Sequence, residues 1–246
     1  MTHKCKTEST ISFSFDPWGP GNLLIRLRKG EVIKIDPYNR YLYEAMHLRD
    51  ILYTRPEVEG SFPGIFENPS LPILLEIGCY MGETVAEIGK KNQEINILGI
   101  DIKYKRVVKS SLRIKREKIT NAKIVIADAR ELLTIIPDQS LWGILAFFPD
   151  PWQRLKHEKN RFLSDYFFKT ALQKLTERGF IWIKTDNHRY FREVKEKALD
   201  FDFTIMDKLP FPNPLIGENY RTFFEQLFEK LKKPIYQLIL QKMNKS

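Results

Sequence analysis

An acid between two prolines is the part of this sequence best suited to chemistry. Residues 147–156 are Phe-Phe-Pro-Asp-Pro-Trp-Gln-Arg-Leu-Lys. The two phenylalanines end an apolar run that begins at Leu141, and a basic segment follows the second proline. Each proline fixes its own φ at about −65° and keeps the preceding residue out of the helical region, so we expect Asp150 in a stiff extended segment. Ligands of open parallel sheets bind outside the carboxyl ends of strands, where Asp150 would stand. The alternative is a proline-rich turn with a solvated aspartate.

A second group of residues that could bind a ligand surrounds a glycine turn. The apolar run 73–77 contains Glu76 and leads into a Gly-x-x-x-Gly turn that starts at Gly78, while Asp101 and Asp128 end the next two apolar runs. Glycine lets a ligand approach the backbone closely, and an ionised carboxylate can accept both hydroxyls of a ribose. The acids could instead cap the helices that follow. Three of them at successive strand ends favour a nucleoside cofactor.

The glycine turn differs from a phosphate-binding loop. No lysine follows the glycines as it does in a P-loop, and the next residue is the acid Glu83. This turn therefore favours a cofactor with a cationic or zwitterionic part over one with a pyrophosphate.

The elements that must position these residues form an alternating pattern. Short apolar runs separated by amphipathic segments predict a doubly wound, mostly parallel α/β sheet. A last run, 235–240, follows a connection too short for a parallel crossover, so we expect an antiparallel last strand at an edge. The other predicted strands are 73–77, 95–100, 122–127, 141–148, 180–184 and 203–206; the predicted helices are 83–91, 104–118, 129–136, 162–178 and 189–199.

The first seventy residues follow a different pattern, with frequent Pro and Gly turn signals. We expect an irregular N-terminal extension or cap over residues 1–70, with a hairpin within 22–35 and one helix within 39–53. A single α/β domain is predicted for residues 71–246.

The composition of the chain indicates which kinds of partner it could bind. The formal net charge of +9 and a pI of about 9.4 favour a polyanion, nucleic acid first. Residues 103–118, which include the predicted helix 104–118, carry eight basic residues and one acid, a further indication of phosphate contact. Two cysteines and four histidines without paired spacing predict no disulfide framework and no metal site. No apolar run reaches the roughly 20 residues that span a bilayer, so a cytoplasmic protein with no membrane partner is expected.

These motifs together resemble the bacterial tRNA (guanine-N7)-methyltransferase family, a group of class I S-adenosylmethionine-dependent methyltransferases. Their order and spacing agree over residues 71–240. The motifs are Leu75-Glu76-Ile77-Gly78 with Met81-Gly82, Gly99-Ile100-Asp101, Asp128-Ala129, residues 147–152 with their basic tail, Lys184-Thr185-Asp186 and Thr222-Phe223-Phe224-Glu225.

The resemblance implies a Rossmann-like fold and methyl transfer from S-adenosyl-L-methionine to N7 of guanosine in tRNA, forming 7-methylguanosine. It implies that Asp101 contacts the ribose, that Asp128 lies near the adenine and that Asp150 is catalytic. The implied cofactor-binding residues are Glu76, Gly78, Asp101, Asp128 and Asp150. The implied substrate-binding residues are Arg154, Asp186, Thr222 and Glu225.

The chemistry of N7 is compatible with an aspartate that is not a base. N7 carries a free lone pair, so the residues need only align the reactants and stabilise the positive charge that the purine gains. Asp150 suits this role and could also accept hydrogen bonds from N1 and N2 of guanine; Asp186 or Glu225 could do the same. Trp152 could stack on the base or pack beneath the loop, and Thr222 could contact the substrate or cap a helix.

Three departures from the family pattern leave alternatives open. Tyr80 stands where the turn usually has a second glycine, Arg154 where lysine is commoner, and Asn160 in a run that is usually basic. If Tyr80 blocks the pocket, the chain would be a non-catalytic tRNA-binding protein. A methyltransferase for another RNA is the other alternative, and either a monomer or a homodimer is compatible with the sequence.

Overall fold

One eight-stranded sheet forms the centre of the protein in the computed structural model, which describes residues 20–32, 40–151, 161–209 and 221–243. The strands are β1 (Leu52–Thr54), β2 (Ile73–Ile77), β3 (Asn96–Asp101), β4 (Ala122–Ile126), β5 (Leu141–Phe147), β6 (Leu175–Thr185), β7 (Phe203–Met206) and β8 (Tyr236–Lys242). Their order across the sheet is β1-β4-β3-β2-β5-β6-β8-β7. Among these strands, β8 alone runs in the direction opposite to the other seven.

Helices cover both faces of this sheet because its inner strands are apolar on both sides. The helices are α1 (Pro20–Arg28), α2 (Arg40–Met46), α3 (Arg55–Ser61), α4 (Glu83–Lys91), α5 (Tyr104–Arg116), α6 (Ala129–Ile135), α7 (Asp165–Lys174), α8 (His188–Ala198) and α9 (Phe223–Lys230). Successive residues of β2 face opposite sides: Leu74 joins a core with Val85 of α4, and Leu75 joins one with Phe167 of α7. The predicted doubly wound, mostly parallel sheet with an antiparallel last strand is confirmed.

The chain order places a ligand-binding crevice between β2 and β5. From β2 the chain winds outward through β3 and β4, and it then returns to the other side of β2 to form β5 and β6. The helices on the two sides of this switch point diverge, which opens a crevice at the carboxyl ends of the strands. Glu76, Asp101 and Asp150 lie in or directly after strands at this end of the sheet.

Two predicted elements in the α/β part are wrong in position. The last strand is antiparallel as expected but is not at an edge, because β7 pairs with its outer side, Phe203 opposite Lys242. The helix predicted through residue 178 ends at Lys174, since Leu175 already pairs with Leu141 of β5. Residues 176–179 then bulge out before regular pairing resumes at Phe180.

The N-terminal part is more regular than expected. The hairpin predicted within 22–35 is wrong, because α1 occupies residues 20–28. The helix predicted within 39–53 is confirmed only as α2, and β1 extends the sheet by pairing in parallel with β4. Arg28 ties these pieces together, since its guanidinium contacts the Glu57 carboxylate at 2.6 Å and the Leu52 carbonyl at 2.8 Å. A division of the chain at residue 70 stays a prediction.

Candidate cofactor and substrate site

A cavity of about 460 Å³ opens at the switch point between β2 and β5. Pockets for small ligands are typically about 300–1,000 Å³, so its size suits a nucleoside cofactor. Four of the residues predicted to bind the cofactor line it together: Gly78, Asp101, Asp128 and Asp150. The structure therefore brings most of the predicted cofactor residues to one place.

The glycine turn keeps a glycine-like backbone although one glycine is replaced. Gly78, Tyr80 and Gly82 have φ values of 75°, 50° and 72°, all in the left-handed region. The Gly78 N–H donates to the Ile100 carbonyl at 2.8 Å, and the Ser110 hydroxyl donates to the Tyr80 carbonyl at 3.0 Å. These bonds fasten the turn to β3 and α5, so its backbone can face a ligand as a glycine turn does.

The Tyr80 ring forms part of the cavity wall. It stacks on Phe223 of α9, with ring centroids 5.6 Å apart and an interplanar angle of 21°. The Arg106 guanidinium lies 4.9 Å from the ring centroid. Because these contacts hold the ring at the side of the cavity, the 460 Å³ space stays open beside it. This geometry does not favour the alternative of a pocket blocked by Tyr80.

Glu76 lies beneath the turn with an unused buried oxygen. Glu76 is 4% exposed, and its Oε2 atom has no hydrogen-bond partner among the described residues. Burial raises the pKa of the Glu76 carboxyl to about 8; the hydrogen bond from Thr84 opposes this rise, and the nearby charge of Glu83 adds to it. A buried carboxylate without a counter-charge is costly, so this oxygen fits a bound cation.

Glu76 reaches the ligand space from a separate side. It lines a narrow space of about 20 Å³ that adjoins the larger cavity and shares Gly78, Tyr80 and Phe224 with it. The ammonium group of an amino-acid moiety matches this position, and Gly78 has no atom within 4 Å of where a Cβ would be. The residues present thus fit a nucleoside joined to a cationic amino acid.

Asp101 and Asp128 also serve the local fold. Asp101 accepts a hydrogen bond from the Lys103 backbone at 2.8 Å and pairs with Arg106 at 3.4 Å. Asp128 accepts one from the Arg130 backbone at 2.8 Å and so caps α6. The capping alternative is therefore confirmed for Asp128. Each carboxylate oxygen has two lone pairs, so these contacts and ligand binding are compatible.

Asp150 stands on a braced turn at the mouth of the cavity. The preceding Phe148 has φ 52°, a left-handed conformation rather than an extended one, and its N–H donates to the Lys184 carbonyl at 2.7 Å. On the other side, Arg161 Nε donates to the Pro151 carbonyl at 2.8 Å. Asp150 itself is exposed. The turn is thus held from β6 and from Arg161 while its acid remains accessible.

Three predicted substrate residues lie around the start of α9. Glu225 is buried and uses both oxygens: Oε1 accepts from Lys184 Nζ at 2.7 Å, and Oε2 accepts from the Thr222 backbone at 2.9 Å. The Thr222 side chain caps α9 in return, so the capping alternative is confirmed for Thr222. Asp186 pairs with Lys233 at 3.1 Å. Thr222 lines the narrow space beside Glu76, whereas neither cavity is lined by Asp186 or Glu225.

Outside the described residues lie three that the sequence links to the substrate side: Trp152, Arg154 and Asn160. On α5, some of the basic side chains have partners within the protein: Arg113 Nε donates to the Met81 carbonyl at 3.1 Å, and Lys115 donates to the His47 carbonyl at 3.0 Å. The basic excess of this helix therefore also supports the fold.

Comparison with known proteins identifies the family. A family model described as "Putative methyltransferase" matches residues 70–238. A tRNA (guanine-N(7)-)-methyltransferase of Mannheimia succiniciproducens is 34% identical over 185 residues, which cover 72% of each chain. The chain belongs to the tRNA (guanine-N7)-methyltransferase family. A relative of the same name from Actinobacillus succinogenes is 42% identical over 131 residues, and this match spans about half of each chain, 52% of this one and 51% of the relative.

Solved structures agree on the fold. The aminoglycoside resistance methyltransferase NpmB1 matches 77% of this chain with a TM-score of 0.53 and 14% identity. The antibiotic-resistance methyltransferase Kmr matches 79% with a TM-score of 0.50 and 13% identity. At these identities the likeness shows the Rossmann-like methyltransferase fold alone.

Within this family, the structure adds three residues to the site that the sequence analysis had not placed there. Arg106 pairs with Asp101, Arg161 holds the Asp150 turn, and Phe224 lines both cavities. Three phenylalanines lie close together in the sequence, at 223, 224 and 228, and this grouping could have indicated a role for Phe224. No helix in the described ranges is long and apolar enough to cross a membrane, and those ranges contain no group of acids, histidines and cysteines that could hold a metal.

Proposed function

We propose that this protein transfers a methyl group from S-adenosyl-L-methionine to N7 of a guanosine in tRNA, forming 7-methylguanosine. The names of its relatives supply the reaction and the substrate. The observation that carries the proposal is a single cavity at the switch point, lined by the glycine turn and by Asp101, Asp128 and Asp150.

Four residues hold the cofactor in this proposal. Asp101 binds the ribose hydroxyls, Asp128 lies at the adenine, Gly78 lets the ligand approach the backbone, and Glu76 receives the ammonium group on its unpartnered oxygen. When bound, S-adenosyl-L-methionine supplies an electrophilic methyl group on a positively charged sulfur. The raised pKa of Glu76 supports this assignment, because a cation is the ligand that restores its charged form.

Asp150 is the catalytic residue in this proposal, as a fixed negative charge. It lines the cavity and is exposed at its mouth, where a purine can reach it. The purine becomes cationic as the methyl arrives, and a preorganised carboxylate stabilises that charge without taking a proton. Glu225 is less suited to this role, because it is buried in an ion pair with Lys184 and lines neither cavity.

The substrate is held by groups with different tasks. The net charge of +9 attracts the phosphates of tRNA, which hold the RNA without selecting a base. Selection falls to Asp150 and Thr222, which line the two cavities, with Asp186 and Arg154 as further contacts. We assign the protein to the cytoplasm, acting as a monomer or homodimer.

The deciding experiment is methylation of an unmodified tRNA transcript by the purified protein, with the product nucleosides identified by mass spectrometry. We expect 7-methylguanosine. A transcript containing 7-deazaguanosine, which lacks N7, should accept no methyl group. Methylation of another nucleoside, or equal transfer to the 7-deaza transcript, would contradict the proposal, and Asp150→Ala protein prepared in parallel controls for a contaminating enzyme.

A further inference from the structure

Two residues other than glycine have left-handed backbones on either side of the switch point. Tyr80, after β2, has φ 50°, and Phe148, after β5, has φ 52°. A side chain with a Cβ is strained in this region, so such residues persist where their surroundings hold them. One of them belongs to the cofactor turn and the other to the turn that carries Asp150.

Both strained residues are held by the same helix, α9. The ring of Phe224 lies 5.4 Å from that of Tyr80 and 5.9 Å from that of Phe148, measured between centroids. Phe223 stacks on Tyr80 at 5.6 Å, and Phe228 lies 5.2 Å from Phe148. We call these five rings the aromatic clamp. Ring contacts of this kind are attractive beyond the apolar area that they bury, so the clamp joins the two turns.

The Tyr80 ring also contacts a residue that lines the cofactor cavity. Arg106 lies over this ring at 4.9 Å and pairs with Asp101, the carboxylate assigned to the ribose, at 3.4 Å. Asp101, Arg106, Tyr80 and Phe223 therefore form a continuous row of contacts from the cofactor cavity to α9. Thr222, at the start of that helix, lines the neighbouring narrow space.

We propose that the ring of Tyr80 is a positioning group that couples cofactor binding to α9 and, through Phe224, to the Asp150 turn. A ligand that engages Asp101 and the glycine turn fixes Tyr80, and Tyr80 fixes the helix that faces the substrate. The family's usual glycine offers no ring at this position, so this coupling is a property of this chain. The inference rests on the cofactor site of the proposed function and does not depend on the RNA substrate.

Hydrogen exchange of the full-length protein tests the coupling directly. S-adenosylhomocysteine is the probe, and the exchange of peptides covering α9 is compared with and without it. In wild type and in Tyr80→Phe, which keeps the ring, we expect exchange in α9 to slow by about tenfold when the probe binds. In Tyr80→Gly the probe should still bind, within about fivefold of wild-type affinity by calorimetry, while the protection of α9 is lost.

A matched control separates the ring from the backbone. Gln139 also has a left-handed backbone, φ 53°, and is exposed in the turn before β5, at the opposite end of the sheet. Gln139→Gly should therefore retain the wild-type protection of α9. In the methylation assay, kcat/KM should fall by about tenfold in Tyr80→Gly and recover in Tyr80→Phe.

Three results would overturn the inference: wild-type protection of α9 in Tyr80→Gly, no protection of α9 in wild type, or complete loss of probe binding in Tyr80→Gly. The last result would show that the ring acts on the cofactor itself. If the probe protects α9 through Tyr80 but no 7-methylguanosine forms, the proposed function fails and the coupling stands. The two claims are thus distinguishable.

Discussion

Replacement of Glu76 by glutamine should change how cofactor binding depends on pH. Burial raises the pKa of Glu76 from 4.5 to about 8, so the free protein holds this carboxyl mainly protonated at neutral pH. At about 1.4 kcal/mol per pKa unit, ionising it in the fold costs about 5 kcal/mol more than in the unfolded chain. A cation bound at Oε2 offsets much of that cost, so binding should drive ionisation and release a proton.

Calorimetry with S-adenosylhomocysteine measures this release. Titrations near neutral pH in two buffers with different ionisation enthalpies give the number of protons exchanged. Wild type should release close to one proton more than Glu76→Gln, and its affinity should rise with pH up to about pH 8 relative to the variant. Glu83→Gln, which removes a neighbouring carboxylate that pairs with Arg113, should lower the pKa of Glu76 slightly but still release more protons than Glu76→Gln. Equal proton release by wild type and Glu76→Gln would refute the reasoning.

The same group should also affect the stability of the free protein. Because the folded pKa of Glu76 lies above the unfolded value, the folded state binds more protons between about pH 4.5 and pH 8. Wild-type stability relative to Glu76→Gln should therefore be highest below this window and fall as pH rises through it, by about 5 kcal/mol in total. Urea denaturation of both proteins at several pH values measures the difference, and a constant difference across the window would contradict the assignment.

Three further substitutions test the other parts of the site. Asp150→Asn should lower kcat by about a hundredfold or more, because it removes a fixed negative charge. Affinity for S-adenosylhomocysteine should stay within a few-fold, because the residues that hold the cofactor are unchanged. Arg161→Gln, which removes the donor to the Pro151 carbonyl, should lower kcat by about 10- to 100-fold through misplacement of the turn, with cofactor affinity retained. Lys184→Met leaves Glu225 buried without its ion pair and should destabilise the protein by about 3–5 kcal/mol in urea denaturation.

Two of these substitutions, Arg161→Gln and Lys184→Met, have a matched control in the same chain. Arg189 pairs with Glu193, as Arg161 does, but from a more exposed position, so Arg189→Gln should keep wild-type kcat. Lys197 forms an exposed pair with Asp165, so Lys197→Met should change stability by less than about 1 kcal/mol. Wild-type kcat in Asp150→Asn or Arg161→Gln, or equal destabilisation by the two lysine variants, would contradict these assignments.

The sheet was largely predictable because its strands are short apolar runs that leave little ambiguity. The runs at 73–77 and 203–206 match β2 and β7 in both bounds. The position of β8 was not predictable from the same signal, because the pattern shows an antiparallel strand but does not indicate which neighbour it pairs with. Residues 22–28 alternate loosely enough to suggest a strand, yet packing of Leu24 against the core of α2 and α5 favours the helix.

Positions in the site were predictable where a motif fixes them to a strand end, as for Asp101 and Asp128. Contacts between residues that are far apart in the sequence were not predictable. The Lys184–Glu225 pair joins residues 41 positions apart and is visible only once β6 and α9 are adjacent. The left-handed conformation of Phe148 also opposes the local rule that a residue before proline is extended, since packing by Phe224 and Phe228 overrides it.

The place of β8 within the sheet has a consequence for how the protein is made. β8 lies between β6 and β7, and α9 immediately precedes it, so the elements that come last in chain order complete both the sheet and the site. A ribosome exposes these residues after the rest of the nucleotide-binding core has emerged. A nascent chain can therefore bury much of its core early while β7 still has no partner and Tyr80 has no helix to pack against. Methyl-transfer activity should accordingly appear only after synthesis has passed β8.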